Sequence, residues 1–332
     1  MRFTFCTKSC WPGVKTALNG LRKVVKETYP EAENVMFDVP EGGMSSQVFR
    51  ELKSYPASVL VIGGWDASIR NIVQNVDKSK TKVFLLWCSP ITQIELGAEI
   101  PQFVDVINFI KLGYIDYVST LLESDSHVLK HIKDNFCYTP VYMDFEDLDT
   151  HKIRRVSNIE LECDLFCAPN SRKNILMQLL VLSQFEKLKI RTNYSSPFYQ
   201  EISKRLLSRN SCLNHNWMTR DEYLKTIQMV DFSTQVSLSE GFNYTAAEHM
   251  YYGVPVICSN AIPFVKNKKE ISDLVVNDQT DAAEITECVR KIIDGGPEYR
   301  KEKGLAFKKI VEAENSKNKE VIINLLKKIV EG

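Results

Sequence analysis

The feature that most constrains the fold is a regular alternation of short apolar runs with longer amphipathic segments. "RFTFCT" reads as a strand, and "VKTALNGLRKVVKETY" places apolar residues at helical spacing. "ENVMFDV" is a second strand, "SSQVFRELKSY" a helix and "ASVLVIGG" a third strand. "DASIRNIVQNV" is helical again, "TKVFLLWCS" a strand, and "YIDYVSTLL" with "SDSHVLKHIKDN" repeats the pair. Such alternation predicts parallel βαβ units and a doubly wound sheet. The pattern weakens over "CYTPVYMDFEDLDTHKIRRVSN" and then restarts, from "CDLFCA" and "RKNILMQLLVLSQF" through "TRDEYLKTIQMV" and "FSTQVSL". The fold class expected is α/β, with two Rossmann-like doubly wound parallel-sheet domains facing a cleft. The boundaries are placed at 1–145 for the first domain, 146–159 for a linker, 160–312 for the second domain and 313–332 for a C-terminal helix. Sheets of this kind bind ligands beyond the carboxyl ends of their strands.

Bulk composition narrows the function classes. Lys+Arg and Asp+Glu both number 42, so the chain has no global attraction to polyanions, and any nucleic acid must meet a local patch. The apolar runs fall far short of the roughly 20 residues of a membrane span, and "MRFTFCTKSCW" lacks the apolar centre of a signal peptide. Nine cysteines without a C-x-x-C pair read as reduced thiols, which predicts a cytoplasmic protein. The pairs Cys6/Cys10 and Cys163/Cys167 read as packing residues rather than metal ligands.

The stretch "SLSEGFNYTAAEHMYYGVPVICS", residues 237–259, carries two carboxylates around a hydroxyl-rich segment. A helix is expected to start near Asn243 or Tyr244 and to end at Tyr252, where Gly253 caps it and Pro255 blocks continuation. Glu240 then lies in the preceding loop and Glu248 inside the helix. Gly241 allows close approach of a ligand. The amides of residues 242–245 form a helix N-terminus, which favours anions. Carboxylates accept hydrogen bonds from vicinal hydroxyls, so a ligand with sugar at both ends and phosphate between them, a nucleotide sugar, fits all three features. Two surface acids on an ordinary βα unit would leave the same pattern.

The stretch resembles the core motif of the retaining glycosyltransferases of family 4 (glycosyl transferases group 1), which have the GT-B fold. The resemblance rests on Ser239, Glu240, Gly241, Phe242, Glu248, Gly253 and Pro255. It extends over about 160–295, whereas in the first half it is only architectural. It implies that Glu240 meets the donor sugar, Glu248 the ribose, the loop at Phe242 and Asn243 the sugar or diphosphate, and Tyr244 and Thr245 the phosphates. The basic phosphate contacts fall on Arg172 and Lys173. Two cations at a helix start oppose the helix dipole, which favours a ligand role over a solvated one. Retention of anomeric configuration is implied by the resemblance alone.

The chain also departs from the family. The usually glycine-rich first loop is "KSCWPGVK", with Gly13 as the one candidate glycine, beside Lys8, Trp11 and Lys15. Cys88 or Ser89 stands where a histidine is expected, and Asn243 where glycine is common. Asp66, after "GGW", is a candidate to accept a proton or orient the acceptor. No cofactor or metal is expected; Asp147 and Asp149 form a D-x-D pattern, but in the linker. The expected partners are a donor, UDP- or GDP-linked, and an acceptor that is a glycan, a protein, a small molecule or a modified DNA base. The alternatives are a sugar-nucleotide 2-epimerase of similar fold and a non-catalytic nucleotide-sugar binding protein.

Overall fold

The structure, a computed structural model, describes residues 1–40, 46–96, 99–152, 160–215 and 218–331. It divides into two compact units, Met1–Asp144 with Asn315–Gly332, and Phe145–Glu314.

The first unit contains β1 Arg2–Lys8, α1 Pro12–Thr28, β2 Glu33–Val39, α2 Ser46–Ser54, β3 Val59–Gly63 and α3 Ala67–Gln74. It continues with β4 Lys82–Trp87, α4 Ile91–Leu96, α5 Ile100–Lys111, β5 Tyr117–Thr120, α6 Glu123–Leu129 and β6 Phe136–Tyr138. The strands are parallel, in the order β2-β1-β3-β4-β5-β6. β1 and β3 are buried along their whole length, as strands covered on both faces are. α1 buries Ala17, Leu18, Leu21, Val24 and Val25, a stripe at helical spacing.

The second unit contains α7 Phe145–Thr150, β7 Glu162–Leu165, a 3-10 turn Ser171–Lys173, α8 Ile175–Leu182, β8 Lys189–Thr192, α9 Pro197–Leu206 and β9 Cys212–Asn214. Then come α10 Arg220–Ile227, β10 Phe232–Gln235, α11 Tyr244–Tyr251, β11 Val256–Ser259, β12 Val275–Val276 and α12 Ala282–Asp294. Its strands are also parallel, in the order β12-β11-β10-β7-β8-β9. The last helix, α13, runs from Gly296 to Glu331.

Each sheet therefore reverses its winding once. The reversal falls between β1 and β3 in the first unit and between β7 and β10 in the second. Helices on opposite faces leave a crevice at such a point, and ligands of open α/β sheets bind there.

Two expectations change in detail. Where the alternation weakens, at "CYTP", Phe136–Tyr138 still pairs with β5 as a sixth strand, too short to show alternation. Asp147 and Asp149 lie on α7 rather than in irregular chain. Residues 153–159 of the expected linker, and Asn216 and Trp217, lie outside the described residues. Residues 313–331 are the later part of the single helix α13. Among the described residues no helix is long and apolar enough to cross a membrane.

Candidate functional site

The second unit's winding reversal brings together residues far apart in the chain. β7 leads into the turn carrying Arg172 and Lys173, and β10 leads into the loop carrying Glu240. Because β7 and β10 are neighbours, the two connections meet at their carboxyl ends. Glu240 is 5 % exposed and is held from three sides. Lys173 Nζ donates to Oε1, Asn243 Nδ2 donates to Oε1 at 3.1 Å, and Arg172 donates to Oε2 at 3.0 Å. Two cations around one carboxylate leave one net positive charge beside the N-terminus of α11, where an anion is favoured.

The loop is fixed from below. The Leu238 N–H donates to the Arg172 carbonyl at 2.8 Å, joining the two connections through their backbones. Gln178, buried on α8, accepts from the Val236 N–H at 2.9 Å and donates to the Lys173 carbonyl at 2.8 Å. Ser259 Oγ donates to the Ser237 carbonyl at 2.6 Å. Asn243 adopts φ 110° and caps α11, its Oδ1 accepting from the Ala246 N–H at 3.0 Å. Gly241 is buried in this loop. The Phe242 ring lies 5.1 Å from that of Tyr244 and 5.0 Å from that of Phe264. Thr245 gives its carbonyl to His249.

Glu248, 2 % exposed, projects from the middle of α11. Its Oε1 accepts from Arg220 at 2.5 Å, and Arg220 also lies 3.7 Å from Asp147. Asp149 accepts from the Tyr251 hydroxyl at 2.7 Å. Among the described residues, no three His, Cys, Asp or Glu side chains converge as metal ligands do.

Arg220, the ion-pair partner of Glu248 in this candidate cluster, is a residue that the sequence reading missed. It is the first residue of α10, whose capping box at Thr219 and Glu222 is complete. A cation at the first helical position opposes the dipole, the same signal that singled out Arg172 and Lys173. His249, the residue after Glu248, packs against β7. Both of its ring nitrogens face acceptors: Asp164 Oδ2 at 2.7 Å and the Thr245 carbonyl at 2.7 Å. Burial pulls its pKa down, but the Asp164 carboxylate and the two hydrogen bonds outweigh burial and raise it. The imidazolium so favoured pins α11 to β7.

Gly13 and Asp66 belong to the first unit, near the reversal between β1 and β3. Lys8, at the end of β1, lies 3.0 Å from Asp66 Oδ2 and donates to the Pro40 carbonyl at 3.2 Å. Asp66 also caps α3, accepting from the Ile69 N–H at 2.9 Å. Trp11 covers Gly64, where φ is +74° and a Cβ would fall 2.3 Å from the ring. A Cβ at Gly13 would meet nothing within 4 Å. Burial pushes the Cys88 thiol up to about 12, so it stays protonated at neutral pH.

No family model matches the chain, and no curated protein matches it. Solved structures do. A sucrose-phosphate synthase from Thermosynechococcus elongatus superposes with a TM-score of 0.72 at 12 % identity, covering 100 % of this chain and 98 % of the other. A trehalose-6-phosphate synthase, whose glycosyl transfer proceeds with retention, gives 0.70 at 11 % identity over 99 % of each chain. An E. coli trehalose-6-phosphate structure bound with UDP-2-fluoro glucose gives 0.71 at 10 % identity, over 100 % of this chain and 99 % of the other. Likeness along the whole length at such low identity speaks to architecture: the chain has the GT-B fold, two Rossmann-like parallel-sheet units, in common with these glycosyltransferases.

Proposed function

We propose that this chain is a glycosyltransferase that moves a sugar from a nucleoside diphosphate sugar, UDP- or GDP-linked, to an acceptor, with retention and without a divalent ion, in the cytoplasm. The observation that carries the reading is the buried cluster at the β7–β10 reversal, where Lys173 and Arg172 converge on Glu240.

Breaking the anomeric C–O bond separates charge. The sugar becomes oxocarbenium-like and the diphosphate leaves as an anion. In this reading Lys173, Arg172 and the amides at the start of α11 hold that anion. A fixed contact of this kind is typically worth about 2.7–4 kcal/mol in the transition state. Glu240 accepts from the sugar hydroxyls, and Gly241, Phe242, Asn243, Tyr244 and Thr245 line the sugar and phosphates. Glu248 takes the ribose hydroxyls, with Arg220 holding its other side. Gly13 and Asp66 serve the first unit's part of the reaction, Gly13 by backbone approach and Asp66 by orienting the acceptor. The similar structure bound with UDP-2-fluoro glucose and the retaining similar enzyme support this reading.

The test is a thermal-shift panel of nucleoside diphosphate sugars on the wild type and on Glu248→Ala, followed by assay of nucleotide release. Stabilisation by one donor, absent in the variant, with turnover to an acceptor, supports transfer. Isotope exchange at the sugar C2 with no acceptor identifies the epimerase instead. Binding without any release of nucleotide identifies a binding protein. A flat panel sinks all three.

A further inference from the structure

We infer that Asn243 is a positioning residue that holds the Glu240 carboxylate in its working orientation; this rests on the glycosyltransferase reading of the site. The side chain is 5 % exposed and makes three hydrogen bonds. Its Oδ1 accepts from the Ala246 N–H at 3.0 Å, while Nδ2 donates to Glu240 Oε1 at 3.1 Å and to Gln235 Oε1 at 3.3 Å. Gln235, at the end of β10, donates in turn to the Phe166 carbonyl beyond β7, at 3.1 Å. A continuous chain of bonds thus runs from the two neighbouring strand ends through Asn243 to Glu240.

Capping alone does not account for this. The cap uses only Oδ1, and aspartate caps as well as asparagine. The backbone at φ 110° is one that glycine adopts freely and other residues resist. An asparagine here is compensated by what its amide nitrogen does, and the amide joins Gln235 to Glu240. The charged groups facing Glu240 are Lys173 and Arg172 from the 3-10 turn. Cys167 beyond β7 is kept neutral, since burial pushes its thiol up to about 12. Of the three side chains that hold Glu240, the Asn243 amide is the neutral one, and it is the one tied to the strand ends through Gln235.

The experiment compares wild type, Asn243→Asp and Asn243→Gly. Asp keeps the cap acceptor but sets a carboxylate oxygen where the amide donates. Gly relaxes the backbone and removes both cap and clamp. Release of nucleotide from UDP-glucose, UDP-N-acetylglucosamine, GDP-mannose and ADP-glucose is followed against pH, with melting temperature in parallel. The expected result is a fall in kcat of about tenfold or more in both variants, with donor KM within about threefold in Asn243→Gly. In Asn243→Asp the acid limb of the profile moves to higher pH, because two carboxylates then share one site. A purely structural cap would instead lower the melting temperature and leave kcat and the pH profile of the folded fraction unchanged. Wild-type turnover with both variants within twofold overturns the positioning role alone. If the wild type neither binds nor consumes any donor, the glycosyltransferase reading falls and the positioning role falls with it.

Discussion

Gly304 of α13 lies directly against the carbonyl of Gly253, so that a Cβ at 304 would sit 2.0 Å from that oxygen. The contact joins α13 to the turn that ends α11, where Gly253 adopts φ +75°. Gly304→Ala must push the two apart, and overpacking of this kind costs roughly 1–3 kcal/mol. Gly253→Ala has open space for its methyl group and bears only the backbone penalty, about 1–2 kcal/mol. Urea denaturation of both variants checks this. Equal stability of Gly304→Ala and wild type would mean that α13 is seated elsewhere.

Gly13 presents the opposite case. Nothing occupies the space where its Cβ would be, and it lies inside α1. Gly13→Ala is expected to gain about 0.4–1 kcal/mol of stability by restricting the unfolded chain. A protein that is more stable yet slower in donor turnover would assign Gly13 to ligand contact. Unchanged turnover would remove it from the site.

Lys173 and Arg172 are expected to act mainly on rate. Lys173→Ala should lower kcat by about 10²- to 10³-fold, as loss of a preorganised charge contact does. Arg172, more exposed, should cost less. Steady-state kinetics with the donor found in the thermal-shift panel measures both. A change confined to KM would place the lysine in ground-state binding only.

Arg220 and Glu248 should separate from that pair. Glu248→Ala removes a hydroxyl acceptor and is expected to raise donor KM with a smaller effect on kcat, the pattern of uniform binding. Arg220→Ala leaves Glu248 buried without its guanidinium partner, and should both weaken donor binding and lower the melting temperature. If Arg220→Ala binds donor as well as wild type, the pair has no part in the ribose contact.

The Asp164–His249 pair predicts a pH dependence of stability. Both side chains are fully buried. The folded protein holds the His249 proton more tightly than the unfolded chain does. This contribution is complete below the unfolded value of about 6.5 and is lost as pH rises through the raised folded value. Wild-type stability should therefore decline with rising pH above about 6.5 relative to His249→Gln. His249→Ala, which leaves Asp164 buried and unpaired, should cost about 3–5 kcal/mol. Calorimetry from pH 6 to 9 gives both answers.

The parts of this site that were legible in the sequence are those that depend on neighbours in the chain. Asn243, Gly253 and Pro255 mark the ends of one helix, and the observed α11, Tyr244–Tyr251, falls where they place it. The alternation of strands and helices likewise yields two parallel sheets, because period and length are local properties. What the sequence hid is what strand order creates. Lys173 and Glu240 are 67 residues apart and meet because β7 lies beside β10. Arg220 reaches Glu248 from another helix, and no spacing rule links them. Asp66 looks like a free carboxylate after a strand, but it caps α3 and pairs with Lys8, an ion pair set by the neighbouring β1 and β3 ends. Identity of 10–12 % to the similar structures fits this division, since the architecture needs a pattern while a sequence match needs particular residues.

The late stretch of α13 has a consequence for the order of assembly. Asn315 accepts from the Met143 N–H and donates to its carbonyl, and Asn318 donates to the Val141 carbonyl. The backbone groups that these amides satisfy are made some 172 residues earlier. During synthesis, the segment at 141–143 must wait, solvated, while the whole second unit is translated. The unit begun first is thus sealed last.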